Sequence, residues 1–292
     1  ISAGHTVRGS RPHVGLAKDL EKTLRQERFQ ITQLWHAGRQ EYITETRDIG
    51  CYIRDQGQLR QGEPRGHLRR GASLLERWDV DLSHARSELR LAEVVSIMLQ
   101  SPEHKSPGTT GVRGRFYKLH AEVLAPVFKE AFQDLTTGAE VVPRHLHELK
   151  WIIAAKEDGA ETLARLRDLE LPNEDAKILA RMFAHLLDES CASQLRLYQQ
   201  AFVSQGQIEK NVVEVATSAS EQSNSNSLRL LLFLDCTKGY SLLSREWVDR
   251  VLRRSNLPQA LLCGIRRLLE HHFAFLCFNG FVFAAVEYQA GY

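Results

Sequence analysis

The feature that most constrains the fold is the run Leu228-Arg-Leu-Leu-Leu-Phe-Leu-Asp-Cys-Thr-Lys-Gly-Tyr-Ser241. In it an almost unbroken apolar stretch ends on one acid and meets an aromatic five places later. Continuous apolarity means that both faces are covered, which describes a strand at the centre of a sheet; periodicity alone leaves a buried helix open. As a strand, the run delivers Asp235 to the point where the chain leaves the core. A carboxylate there has two readings. It is a ligand for a divalent cation, fixed by the strand while its tip stays wet, or it is the cap of a turn.

The chain around this run has 292 residues, 43% of them hydrophobic, enough for one large or two ordinary soluble domains. Its net charge is only +2, so the overall balance does not announce a nucleic-acid binder. The charge is unevenly placed, however: residues 1–70 hold 13 Lys and Arg against 8 Asp and Glu. That bias suits a phosphate-bearing partner and equally a solvated basic surface. The cysteines, Cys51, Cys191, Cys236, Cys263 and Cys277, are odd in number, with no CxxC pair and no zinc spacing. A reducing, intracellular compartment, nuclear or cytoplasmic, is the expectation. No apolar stretch approaches a membrane span and no signal-peptide pattern opens the chain, so neither a membrane nor secretion is indicated. A start at Ile1 and an end at Gly291-Tyr292, directly after a strand-like segment, read as a piece of a longer protein.

Residues 1–13 read as unstructured. Leu20, Leu24, Ile31, Leu34 and Trp35 predict a long amphipathic helix from Leu16, and Gln56 to Gly71 a basic loop. A helix capped by Ser87 is expected through Gln100. Another is expected with the face Phe116, Leu119, Val123, Leu124, Val127 and Ala131, kinked at Pro126 and ended by Gly138. Lys150 to Lys156 and Leu163 to Leu171 predict two strands around a turn at Gly159. Asn173 is expected to cap a helix that buries Ile178, Leu179, Met182, Phe183, Leu186 and Leu187. Ser218 to Ser227 reads as an exposed loop. Ser244 and Pro258 open two further helices, and Asn279-Gly280 between β-rich runs predicts a hairpin.

Taken in order, four segments resemble the reverse transcriptase of non-LTR (LINE-type) retrotransposons. Lys105-Ser-Pro-Gly-Thr-Thr-Gly-Val-Arg-Gly-Arg-Phe-Tyr-Lys118 is similar to the family's KSPGPDG...EFYK, departing at Thr109, Thr110 and Arg115. The strand ending in Lys156 is similar to the family's IPK before a Gly turn, and Arg167 to Leu179 resembles RPISLLNxDYKIL without a gap. Gln200 to Asn211 resembles QxGFVPGRSIxDN, with Gly206 or Gln207 in place of the family's Arg. Phe233 to Tyr240 resembles FLDxxKAFD, with Ser241 for the second Asp. Asn279-Gly280 falls where the family has a hairpin, and Gly291 where GxRQG begins; the resemblance covers roughly residues 85–292.

The resemblance implies an α+β fold: mainly helical fingers plus the beginning of a right-hand polymerase palm. It also implies a basic helical N-terminal region at 1–85, fingers at 86–226 and the start of the palm at 227–292. Nucleotidyl transfer is an in-line displacement at phosphorus in which two metal ions stabilise the attacking and leaving oxygens. The implied catalytic acid and Mg2+ ligand is Asp235, with the Cys236 carbonyl as a second hard oxygen. Tyr240 would lie beneath the sugar and exclude a 2′ hydroxyl; without the family it reads as a core aromatic. Lys156 and Arg167 would hold the triphosphate, one as a mobile point charge and the other as a planar fork. Lys105, Arg113 and Arg115 would hold template phosphates.

The implied partners are an RNA template, a DNA primer or target and deoxynucleoside triphosphates, with the oligomeric state left open. The family's other two catalytic acids lie in a YxDD hairpin, and no Asp-Asp dipeptide occurs in the 292 residues. The expectation is therefore a reverse transcriptase cut before its metal site is complete and inactive as this chain. The alternative is a non-catalytic nucleic-acid-binding or scaffold protein derived from one.

Overall fold

In the segment Glu148–Ala155 an aromatic and two β-branched residues, Trp151, Ile152 and Ile153, follow one another, and five consecutive residues are buried, the pattern of a strand covered on both faces. In the computed structural model, which describes residues 31–62, 73–157, 159–195, 199–201, 203, 206–223 and 243–288, that segment is a central strand. Two short strands, β1 (Leu34–His36) and β2 (Glu41–Ile43), and the helix α1 (Thr46–Gly62) precede it. The helices α2 (Leu91–Leu99), α3 (Gly114–Leu119) and α4 (Ala121–Thr137) lead into it. The strand itself is β3, followed by β4 (Leu166–Pro172) and the helices α5 (Glu174–Leu195) and α6 (Ile208–Ser223). Helices α7 (Arg245–Arg254) and α8 (Gln259–Leu269) and strands β5 (His272–Phe278), β6 (Phe281–Val282) and β7 (Val286–Tyr288) complete it.

Strand β3 pairs antiparallel with β4, from Leu149 opposite Pro172 to Ala155 opposite Leu166. On its other edge it pairs parallel with β5, which in turn carries β6 and β7 antiparallel. One face of this sheet, with Leu149, Trp151, Ile153, Leu166, Ala274 and Leu276, closes on Ile49, Tyr52 and Ile53 of α1 and on Leu34 and Ile43 of the β1–β2 ribbon. A second core lies among the helices. Val94, Ile97 and Met98 of α2 meet Ala125, Phe128 and Phe132 of α4, Ile178, Met182 and Phe183 of α5, and Leu261 and Leu262 of α8. Phe132 and Phe183 pack ring against ring at 4.6 Å. The chain is therefore a mixed α+β protein in which helix predominates.

Several expectations meet their residues. Gly138 ends α4 with φ 75°; the Ser244 hydroxyl accepts from the Trp247 N–H at 3.2 Å; Pro258 immediately precedes α8. Asn279 and Gly280 turn the β5–β6 hairpin with φ 45° and 84°, the paired positive values that a tight hairpin demands.

Others are corrected. Leu34 and Trp35 belong to a strand: Trp35 stands edge-on to Tyr42 across the ribbon, and its N–H donates to the Glu161 carbonyl, a partner 126 residues away that no local period announces. Residues 56–62, expected in a loop, finish α1, because Gln, Leu and Arg are good helix formers and Ile49, Tyr52 and Ile53 supply the buried stripe. The cap of α2 is Arg90 rather than Ser87, its N–H held by the Glu93 carboxylate at 2.7 Å. Residues 218–223 continue α6.

The single helix expected over 114–138 breaks at His120, and its inner face is rotated. Phe116, Leu119, Val123 and Val127 are exposed, while Tyr117, Ala121, Ala125, Phe128, Phe132 and Leu135 are buried. Both sides of this helix are apolar, so helical spacing alone does not choose between them. The opening run Leu228–Ser241 lies outside the described residues.

Candidate nucleotide and nucleic-acid interface

The β3–β4 hairpin carries the expected triphosphate ligands. Its register sets Arg167 opposite Ala154, on the same face as Lys150, Ile152 and Leu169 and away from the Trp151 face. The Arg167 side chain is exposed. Lys156 lies at the mouth of the hairpin turn, where its N–H donates to the Arg165 carbonyl at 2.9 Å and its ammonium to the Ala164 carbonyl at 2.8 Å. Arg165 is paired in turn with Glu157 at 3.2 Å.

The same sheet face holds a residue that sequence reading did not single out. Lys150, only 1% exposed, sits in the middle strand between Leu171 and Phe275. Lysine is rarely buried to this extent unless its charge is paired. The sequence signal was a lysine set directly against Trp151-Ile-Ile153, which reads more simply as a strand boundary. The neighbouring Cys277 thiol is pushed up to about 11 by burial, against a smaller opposing pull from the Lys150 charge.

The glycine-rich segment that begins at Lys105 comes to the end of this hairpin and is latched there by Asn173, which has no exposed surface. The Asn173 carbonyl oxygen accepts from the Thr110 N–H at 2.9 Å and from its hydroxyl at 3.1 Å. The amide group donates to the His145 carbonyl at 2.7 Å and to the Thr109 hydroxyl at 3.0 Å. Thr109 also reaches the Glu148 carboxylate at 3.3 Å. Any side chain at position 108 would overlap Asn173 and the Pro172 backbone, so only glycine lets the loop come this close. Asn173 was expected to cap α5. Its backbone carbonyl does start the helix, accepting from Lys177 at 3.1 Å, but its side chain is spent on the loop.

Beyond the latch the segment turns into α3. Gly114 lies so close to the Pro102 carbonyl that a Cβ would overlap it, and Lys118 bridges to Glu103 at 2.8 Å. The loop and α3 are thus held together, and Lys105, Arg113 and Arg115 are all exposed on this unit.

The remaining expected residues do not join this arrangement. Asp235, Cys236 and Tyr240, and with them the Mg2+ ligands, lie outside the described residues. In the Gln200–Asn211 segment Gly206 N–H donates to the Val203 carbonyl at 2.9 Å and Gln207 N–H to the Gln200 side chain at 3.1 Å, closing the loop before α6. Among the described residues one cluster, Glu93, His185 and Glu189, has metal-ligand spacing. A guanidinium already serves both its carboxylates: Arg86 bonds Glu93 at 2.9 Å and Glu189 at 2.6 Å. Hydrogen bonds from Arg90 and Arg86 hold the Glu93 carboxyl well below the usual range, so the cluster is an internal ion-pair network.

A second polar cluster, also unforeseen, joins the sheet to α7. His272, 1% exposed, accepts from the Arg245 guanidinium at 3.1 Å, and His147 packs edge-on against it at 5.5 Å. Burial first, and then the Arg245 charge, lower His272 to about 3; burial also lowers His147. Beside them a cleft of about 600 Å³ opens between α7, α8 and β7, with Arg266 on its wall paired to Asp249. No protein-family model matches the chain.

Proposed function

We propose that the chain carries the fingers and the start of the palm of an RNA-directed DNA polymerase of retroelement origin. What supports the reading most is the meeting of two motif-bearing segments. Gly108, Thr109 and Thr110 of the first dock on Asn173 of the second, across 63 residues of sequence. Short strings that match a family by chance carry no reason to pack on one another through a buried amide and an obligatory glycine.

In this reading Lys156 and Arg167 of the β3–β4 hairpin take the triphosphate, and the Lys156 ammonium leaves the Ala164 carbonyl to do so. Lys105, Arg113 and Arg115 take template phosphates, with an RNA template, a DNA primer or target and deoxynucleoside triphosphates as ligands. Asp235 and the Cys236 carbonyl are hard oxygen ligands of the kind that suit Mg2+, which would neutralise charge developing on the phosphate. One carboxylate is too few for two ions. With no Asp-Asp dipeptide in its 292 residues, this chain by itself is read as inactive in templated synthesis.

Photolabelling with an azido-dNTP, in the presence of Mg2+ and a primer–template, tests the assignment. Label is expected on the β3–β4 hairpin, falling several-fold in Lys156→Ala and in Arg167→Ala; undiminished labelling of both variants removes the polymerase reading. A non-catalytic nucleic-acid-binding protein is the second reading. It is favoured by the commitment of the Thr109 and Thr110 hydroxyls to holding their own loop. Salt-dependent nucleic-acid binding with no nucleotide labelling selects it.

A further inference from the structure

Phe116 is 47% exposed on α3, although Tyr117 beside it is buried. Its ring packs on the buried Tyr117, edge-on at 5.4 Å, and on the exposed His120, tilted at 4.8 Å. The ring is therefore held in place with part of its surface left to solvent. Around it the exposed charges are mostly of one sign. Arg113 and Arg115 flank it on the same helix and its N-cap, and His104 and Lys105 come from the loop that Gly114 and the Glu103–Lys118 bridge hold against α3. Glu103 is already engaged by Lys118 and sits lower than an ordinary carboxyl for that reason first, with His104 and Arg115 adding to the effect.

A propped aromatic within a rim of basic side chains matches the chemistry of a single strand of nucleic acid. Every base offers a π-face whatever its identity, and every nucleotide brings a phosphate. We infer that Phe116 is a base-stacking platform for single-stranded nucleic acid, with Lys105, Arg113 and Arg115 holding the phosphates on either side. The inference rests on the nucleic-acid reading above and adds to it a specific ring and a specific strandedness. Leu119 at the end of α3 and Val123 and Val127 of α4 are also exposed. Being aliphatic, they offer no face for stacking.

The test is fluorescence anisotropy of the full chain with a labelled single-stranded RNA at low salt. Phe116→Ala is expected to weaken binding roughly 5- to 100-fold, the range that loss of one base–aromatic stack covers. Phe116→Leu, which keeps the apolar surface but has no π-face, should weaken it similarly, and Phe116→Trp should restore it. Lys105→Ala or Arg115→Ala should each flatten the dependence of log affinity on log salt by about 0.7. Wild-type affinity in Phe116→Leu overturns the platform. If Phe116 variants bind normally while the basic variants do not, the platform fails and the proposed function stands; if the unaltered chain does not bind RNA, both fall. A change in oligomeric mass in Phe116→Ala, with RNA binding unchanged, assigns the surface to a second copy and overturns the inference. Because Phe116 is half exposed, an unchanged thermal midpoint in all variants is expected, which separates binding from folding.

Discussion

Asn173 shows how much one side chain can organise. Its amide is buried, and both of its ends are spent across the chain, on Thr110 and on the His145 carbonyl. Asn173→Ala leaves the part-buried Thr110 N–H and His145 carbonyl without this partner, at a cost of at most about 1–3 kcal/mol for each group. Asn173→Asp keeps an acceptor for Thr110 but brings a charge against the His145 carbonyl and should be no better. Urea denaturation of both variants checks this, and near-native stability in either would mean that the loop is held by something else. The sequence made Asn173 conspicuous as a residue before a helix. What its side chain does there was not readable, because a cap and a long-range latch use the same atoms.

At the scale of elements the instructive case is α4. Helical spacing assigned its core face to Val123, Leu124, Val127 and Ala131; Leu124 and Ala131 do pack on the core, but Val123 and Val127 are exposed and the buried positions are Ala121, Ala125, Phe128 and Phe132. The two choices make opposite forecasts. Val123→Glu, at a position 75% exposed, should change stability by no more than about 0.5 kcal/mol. Ala125→Glu, at a fully buried position, sets an unpaired carboxylate in the helical core and should prevent folding. Circular dichroism melts of the pair decide it, and the reverse ranking would mean that the observed face is wrong.

The hairpin β3–β4 behaved differently. Its strands, its turn and the Asn279-Gly280 turn of its neighbour were all legible, since a β-rich run bounded by turn residues has only one economical conformation. Helix α1 is not legible in the sequence: Gln, Gly and Arg at 56–62 carry as much loop character as helix character, and the packing of Ile49, Tyr52 and Ile53 on the sheet decides the matter.

For the whole molecule the buried imidazoles contribute to the response to acid. His272 and His147 are held neutral, the first at about 3 through burial and Arg245, with Glu270 the opposing charge at His147. In the unfolded chain they take up protons near pH 6.5, while the folded chain does not, so stability is complete above that pH and falls as pH drops towards the folded value. For His272 the loss runs from about pH 6.5 down to about 3, approaching about 1.4 kcal/mol per pH unit. Urea midpoints at pH 7 and pH 5 should show the fall, and His272→Gln should flatten it. An equal slope in the variant would assign the acid sensitivity elsewhere.

The sequence by itself determined what depends on neighbours in the chain: the α+β class, the two hairpins, and the helix ends at Gly138, Ser244 and Pro258. Those follow from local backbone preference and from the periodicity of burial, which are carried within a few residues. Only the tertiary structure decided which of two apolar helix faces is buried. It also set Lys150 on the same sheet face as Arg167, and brought Gly108 to Asn173. Each of those is a contact between segments distant in sequence, where the energy of burial depends on what lies opposite and the local pattern is the same for either outcome.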